Sequence, residues 1–157
     1  MANRLVGVIG TSKATPEIAT LAFETGRLLA LEGRTVVCGG MGGVMEEAAK
    51  GAASAGGASI GLLPRDPSEA NPYITYPLPT GLGEARNFVI THSVPVLIAI
   101  GGGLGTLSEI AMALRLGKRV VALRSWTAFD EEGNPMPVLA AADPAEAVRL
   151  ALEEPGP

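Results

Sequence analysis

The 157-residue chain has one cysteine, Cys38, so it can form neither an internal disulfide nor a cysteine-built zinc site. That usage suits a reducing cytosol. Aromatic residues make up only 4% of the chain, too few for the stacking platforms that hold single-stranded nucleic acid. No run of lysine and arginine occurs, and the net charge is −4, which speaks against broad affinity for nucleic acid or anionic membrane. No apolar run approaches the ~20 residues that cross a bilayer. The first apolar stretch, Leu5 to Ile9, is too short for a secretion signal. These absences lead us to expect a cytoplasmic protein with neither nucleic-acid nor membrane partners.

Familiar catalytic signatures are missing as well. No G-x-G-x-x-G follows the first strand, and the second strand ends in Cys38-Gly39 rather than in the acid that would hold an NAD ribose. There is no Walker lysine motif and no G-x-S-x-G, and a lone histidine, His92, supports few triads. Hydride transfer and ATP hydrolysis are therefore disfavoured. No metal site is expected.

What is present is a 47% hydrophobic chain with 21 glycines clustered at fixed places. Its length fits one domain of ~100–200 residues. Short apolar runs alternate with helical patterns. Strands are expected at Leu5–Ile9, Thr35–Cys38, Ala58–Leu63, Tyr73–Pro77, Val94–Ile100 and Arg119–Leu123. Helices are expected at Pro16–Leu31 with Thr15 as N-cap, Val44–Ala55, Gly83–Ser93, Thr106–Leu116 and Asp143–Glu154. The last opens Asp143-Pro144-Ala145-Glu146, a capping-box pattern. Residues 124–137 read as an irregular loop. Strands apolar at nearly every position are buried on both faces, which predicts an α/β fold with a mainly parallel sheet covered by helices on two sides.

In such a sheet all strand-to-helix junctions lie on one edge, where ligands bind. Three of them are glycine-rich: Gly10-Thr11-Ser12, Gly39-Gly40-Met41-Gly42-Gly43, and Gly101 through Thr106. Missing Cβ atoms let a phosphate reach backbone N–H groups, and a helix N-terminus adds partial positive charge. Arg86 and Asn87 join this edge if the strand before Gly83 runs parallel. Each feature also has a plain structural reading. A single glycine turn can be only a turn. Thr106-Leu107-Ser108-Glu109 fits a capping box, with Glu109 reaching back to the N-cap amide. Arg86 can be a solvated helix-end charge, His92 a solvated imidazole at a helix C-terminus, Cys38 a small core residue and Lys13 a solvated lysine.

Together these residues resemble the Lonely Guy family, often labelled lysine decarboxylase-like, and its short relatives, the molybdenum-cofactor carrier-like proteins. The family signature PGGxGTxxE appears as Gly101-Gly102-Gly103-Leu104-Gly105-Thr106-Leu107-Ser108-Glu109, and Gly83-Glu84-Ala85-Arg86-Asn87 is similar to the short branch's G-x-x-R-N. Gly101 stands in place of the signature proline, and Ser108 where many hydrolases of the family carry a second acid. The resemblance implies a Rossmann-like three-layer αβα domain that assembles as a homodimer or homotetramer. It also implies hydrolysis of nucleoside 5′-monophosphates to free base and ribose 5-phosphate, with no cofactor required. Gly102, Gly103, Gly105 and Thr106 would hold the phosphate, with Gly10, Thr11, Ser12, Gly39, Gly40, Gly42, Gly43 and Asn87 around the ligand. Arg86 and Glu109 would be catalytic. The alternative it implies is a non-catalytic carrier of a phosphorylated pterin, the molybdenum cofactor. A third reading, in the related DNA-processing group, is disfavoured by the negative charge. The decarboxylase label finds no support, since Lys13, Lys50 and Lys118 lie in no pyridoxal motif.

Overall fold

The most apolar strand lies deep inside the sheet. In the computed structural model, which describes residues 4–153, β5 (Val96–Ile100) is buried along its whole length. Beside it run β1 (Leu5–Gly10) and β2 (Thr35–Cys38), then β3 (Ser59–Leu63) and the edge strand β4 (Tyr76–Pro79). On the other side of β5 lie β6 (Arg119–Leu123) and the three-residue edge strand β7 (Leu139–Ala141). The order is β4-β3-β2-β1-β5-β6-β7, and every pairing is parallel.

Alternation along the strands feeds two cores. Val6, Val8, Val36, Ile98, Ile100 and Leu123 point to one face, under α1 (Pro16–Leu31), α2 (Val44–Ser54) and α5 (Pro144–Leu152). Ile9, Val37, Leu97, Ala99 and Val120 point to the other, under α3 (Arg86–Ser93) and α4 (Leu104–Arg115). Each fully buried Leu or Ile in these layers contributes about 2 kcal/mol. The result is a three-layer, Rossmann-like α/β fold. Among the described residues no helix is long and apolar enough to cross a membrane.

Local chemistry sets the helix starts. Thr15 accepts from the Ile18 N–H at 3.3 Å ahead of Pro16, as its type and position predict. Asp143 likewise accepts from the Glu146 N–H at 2.8 Å, but Glu146 reaches past it to the Ala142 N–H at 2.7 Å, so the reciprocal bond of the expected box is not made. That helix ends at Leu152, and Glu154 lies outside the described residues.

Other boundaries differ from expectation. Helix α4 begins at Leu104, two residues before Thr106. Gly103 has the extended backbone of the N-cap, so Thr106 falls inside the first turn and Glu109 in the second, beyond reach of a capping box. The segment 83–93 divides into a 3-10 turn, Gly83–Ala85, and α3. Strand β4 sits three residues later than expected at its start and carries Pro77 and Pro79, tolerable because an edge strand needs fewer N–H donors. Tyr73 and Thr75 instead tie the loop to Ser59, which bonds the Thr75 hydroxyl at 3.0 Å and the Tyr73 carbonyl at 3.3 Å.

Candidate functional site

The chain winds outward from β1 to β4, then returns to lay β5 on the opposite side of β1. That reversal opens a crevice beyond the carboxyl ends of β1 and β5, the place where open α/β sheets bind ligands. A cavity of about 340 Å³ lies there. Its walls come from the junctions after β1 (Gly10, Thr11, Ser12), β2 (Gly39, Met41, Gly42), β4 (Glu84, Arg86, Asn87) and β5 (Gly103, Gly105, Thr106). Because β4 pairs parallel with β3, its outgoing turn reaches the same edge.

Of the fourteen positions expected at the site, eleven line this cavity, Arg86 and Glu109 among them. Gly40, Gly43 and Gly102 do not, and the protein's own packing accounts for all three. A Cβ on Gly40 would stand 2.8 Å from Leu63 Cδ2. On Gly43, at φ +67°, it would overlap the Thr11 carbonyl oxygen; on Gly102, at φ +128°, it would come within 2.6 Å of Thr106 Cβ. These glycines shape the loops that carry the lining residues. Cys38 is fully buried, and burial pushes its thiol up to about 11, so it is a core residue. His92 stacks on Phe88 at 5.6 Å on the exposed side of α3. Neither His92 nor Lys13 lines the cavity.

Arg86 is 6% exposed. Its Nη1 donates to Asn87 Oδ1 at 2.8 Å and its Nη2 to the Met41 sulfur at 3.6 Å, while its buried Nε has no partner. It is in none of the ion pairs among the described residues. A guanidinium so placed faces a low dielectric with no ion-pair partner. Glu109, 8% exposed, is the other buried charge in the cavity. Burial pushes its carboxyl up to about 7; Arg86 opposes the change and Glu84 adds to it.

Helix termini in the site differ from those outside it. Helices α1 and α5 have side-chain caps, whereas α4, which points its first turn into the cavity, has none. Its leading N–H groups therefore remain available to an anion. The lining glycines differ in the same sense. A Cβ on Gly103 or Gly105 would meet nothing within 4 Å, and on Gly42 only the Ser12 carbonyl oxygen at 3.6 Å. The fold does not require these three residues to be glycine.

Sequence reasoning missed several participants. Met41, Met45 and Glu84 line the cavity from inside motifs already noted, but nothing in their type marks them. Asn71, in the loop after β3, donates to the carbonyls of Met41 at 2.8 Å and Gly40 at 3.2 Å and so clamps the second glycine loop. Trp126 Nε1 donates to the Gly103 carbonyl at 3.0 Å, and Ser125 to that of Gly101 at 2.5 Å, fixing the loop before α4. The sole tryptophan inside an irregular loop was the one available signal.

Comparison with known proteins agrees with this geometry. The molybdenum cofactor binding protein from the phototrophic bacterium Rippkaea orientalis is 37% identical, superimposes with a TM-score of 0.86 and covers 96% of each chain. The Moco carrier protein from Chlamydomonas reinhardtii is 35% identical, with a TM-score of 0.82 over 94% of each chain. An uncharacterized protein of Archaeoglobus fulgidus is 45% identical over 119 residues, 76% of this chain and 79% of its own. The model of the SLOG cluster4 family matches residues 3–148, a span that includes every loop of the cavity and the Gly101–Glu109 signature. The chain belongs to the SLOG cluster4 family.

Proposed function

We propose that this chain binds the phosphorylated pterin of the molybdenum cofactor and holds it without transforming it. The observation that carries the reading is Arg86, a buried guanidinium held by neutral acceptors and in no ion pair, in the same cavity as the uncapped first turn of α4. Leaving a charge buried and unpaired costs several kcal/mol, and a bound anion offsets that cost. The free N–H groups around Gly103, Gly105 and Thr106 suit a phosphate. The Met41 and Met45 side chains suit a planar heterocycle, whose ring their thioethers can contact. The cofactor assignment draws on the similar molybdenum cofactor binding protein from Rippkaea orientalis and Moco carrier protein from Chlamydomonas reinhardtii.

The test is equilibrium dialysis of the purified chain against isolated molybdenum cofactor, followed by oxidation and pterin fluorescence. The expected result is retention of unaltered pterin by the native chain and at least tenfold weaker retention by Arg86→Ala. No retention by the native chain would remove the carrier reading.

One observation favours a second reading. Glu109, beside the charge of Arg86 and with its carboxyl near 7, is tuned to hold or release a proton at neutral pH. That suits a phosphoribohydrolase, in which Glu109 assists water attack on the N-glycosidic bond and Arg86 stabilises developing charge. Release of free base from a nucleoside 5′-monophosphate, lost in Glu109→Gln, would place this reading first.

Self-association belongs to either reading. Leu82, Phe88 and Leu104 are all about half exposed or more and flank lining residues of the cavity, whereas α1 presents Glu17, Glu24 and Arg27 outward. An apolar rim of this kind fits a second copy of the chain. Sedimentation at two protein concentrations decides it.

A further inference from the structure

Gly39 lines the cavity, yet it differs from every other glycine there. A Cβ at this position would stand 2.5 Å from Arg86 Nη1 and 2.6 Å from the Met45 sulfur. Both obstacles are ends of flexible side chains, whereas Gly10 is confined by the Ile100 backbone carbonyl, and Gly42, Gly103 and Gly105 have room. What the missing side chain of Gly39 accommodates is therefore the guanidinium and the sulfur beside it.

The direct contacts of Arg86 share one chemical property, and Glu109, in the same cavity, forms no ion pair with it. Its contacts are the Met41 sulfur, the Asn87 side-chain amide oxygen Oδ1 and the open face of Gly39, with the Met45 sulfur nearby. All are neutral. A carboxylate in contact would hold the guanidinium more firmly, but it would also cancel the charge that a ligand needs. Thioether and amide acceptors are weak and leave the charge in place. Such weak holding works only if shape does the rest, and the shape is set by the absent Cβ.

We propose that Gly39 is a positioning residue for Arg86: it acts on the ligand through the guanidinium it makes room for, and not as part of a backbone phosphate cradle. The inference rests on the anion-binding reading of the cavity for its consequence, though not for its geometry. In Gly39→Ala the chain still folds, because side-chain ends can yield, and the guanidinium is driven out of its socket. The variant then behaves as a partial loss of Arg86.

Two measurements test this. The first needs no ligand. Nitrogen-15 NMR follows hydrogen exchange at Arg86 Nε, a buried atom, with the resonance assigned by its absence from Arg86→Lys. Exchange at least tenfold faster in Gly39→Ala than in the native chain is expected; an unchanged rate would overturn the proposal. The second is a double-mutant cycle in affinity for isolated molybdenum cofactor. Gly39→Ala should weaken binding at least tenfold in the native background and have no further effect in Arg86→Ala. Equal losses in both backgrounds would mean that Gly39 serves the ligand directly, and the proposal would fall. If the native chain retains no cofactor, the carrier reading fails while the exchange rate still decides the role of Gly39. Should Gly39→Ala alone not fold, the pair Gly39→Ala with Arg86→Ala must fold, since only the flexible end of Met45 then stands in the way of the new methyl; a pair that also fails would overturn the proposal.

Discussion

Where α1 crosses α2, Gly26 and Gly51 let two helix backbones touch. A Cβ on Gly26 would overlap the Ala48 carbonyl, and one on Gly51 the Phe23 carbonyl. At the cavity, Gly103 and Gly105 have nothing within 4 Å of the same position. The first pair is glycine because the protein occupies the space, the second although the protein leaves it open. A glycine that packing requires reports on the fold, whereas one that packing does not require, beside a buried unpaired arginine and an uncapped helix, reports on a ligand. Counting glycines in the sequence merges the two kinds.

The largest effect should come from the crossing. Gly51→Ala forces helix backbones apart and should lower folding stability by about 3 kcal/mol, the upper range for an overpacked core, since backbone cannot move aside as a side-chain end can. Urea denaturation measures this. Ligand affinity of the folded fraction should stay within twofold, because Gly51 does not line the cavity. A loss below 1 kcal/mol would show that the crossing is loose and would dissolve the contrast with the rim.

The parts of this arrangement legible in the sequence are those set by local pattern. The apolar runs at Val96–Ile100 and Thr35–Cys38 place central strands, Thr15-Pro16 and Asp143-Pro144 mark helix starts, and the converging loops follow from a parallel sheet. The rest depends on contacts between distant segments. Met41 and Arg86 are 45 positions apart, so the neutral socket of the guanidinium has no local signature. The threonine at 106 offered a better N-cap by residue type than Gly103, yet the extended backbone at Gly103 begins the helix two residues earlier. Strand β7 is three residues of leucine and alanine on an edge, where one parallel neighbour suffices and no alternation is needed.

The next effect concerns charge rather than space. With its carboxyl at about 7 against an ordinary 4.5, Glu109 binds its proton more tightly in the folded chain than in the unfolded one. Its contribution to stability is therefore fully present below pH 4.5 and is lost as the pH rises through 7. The two values correspond to roughly 3 kcal/mol at most. Glu109→Gln has no such proton to lose, so its stability relative to the native chain should rise by ~2 kcal/mol between pH 4.5 and 8 in parallel urea titrations. Parallel curves would mean that the carboxyl titrates near its ordinary value, so that at neutral pH the cavity holds two opposite charges rather than a guanidinium beside a partly protonated carboxyl.

The smallest change in stability, and the sharpest form of the contrast, is expected at the rim. Gly105 lies in the first turn of α4, where alanine is a better helix residue by ~0.5–1 kcal/mol, and its added methyl would meet no protein atom. Gly105→Ala should therefore be slightly more stable than the native chain in urea denaturation. The same methyl would stand beside the leading N–H groups of the helix, where an anion must approach closely, and affinity for isolated molybdenum cofactor should fall at least tenfold, about 1.4 kcal/mol. A stabilised variant that binds worse is the expected outcome of a residue kept for a ligand at the expense of the helix. If Gly105→Ala gains stability and binds as well as the native chain, Gly105 contributes nothing to the cradle, and the phosphate must lie farther along the cavity toward Ser12 and Gly42.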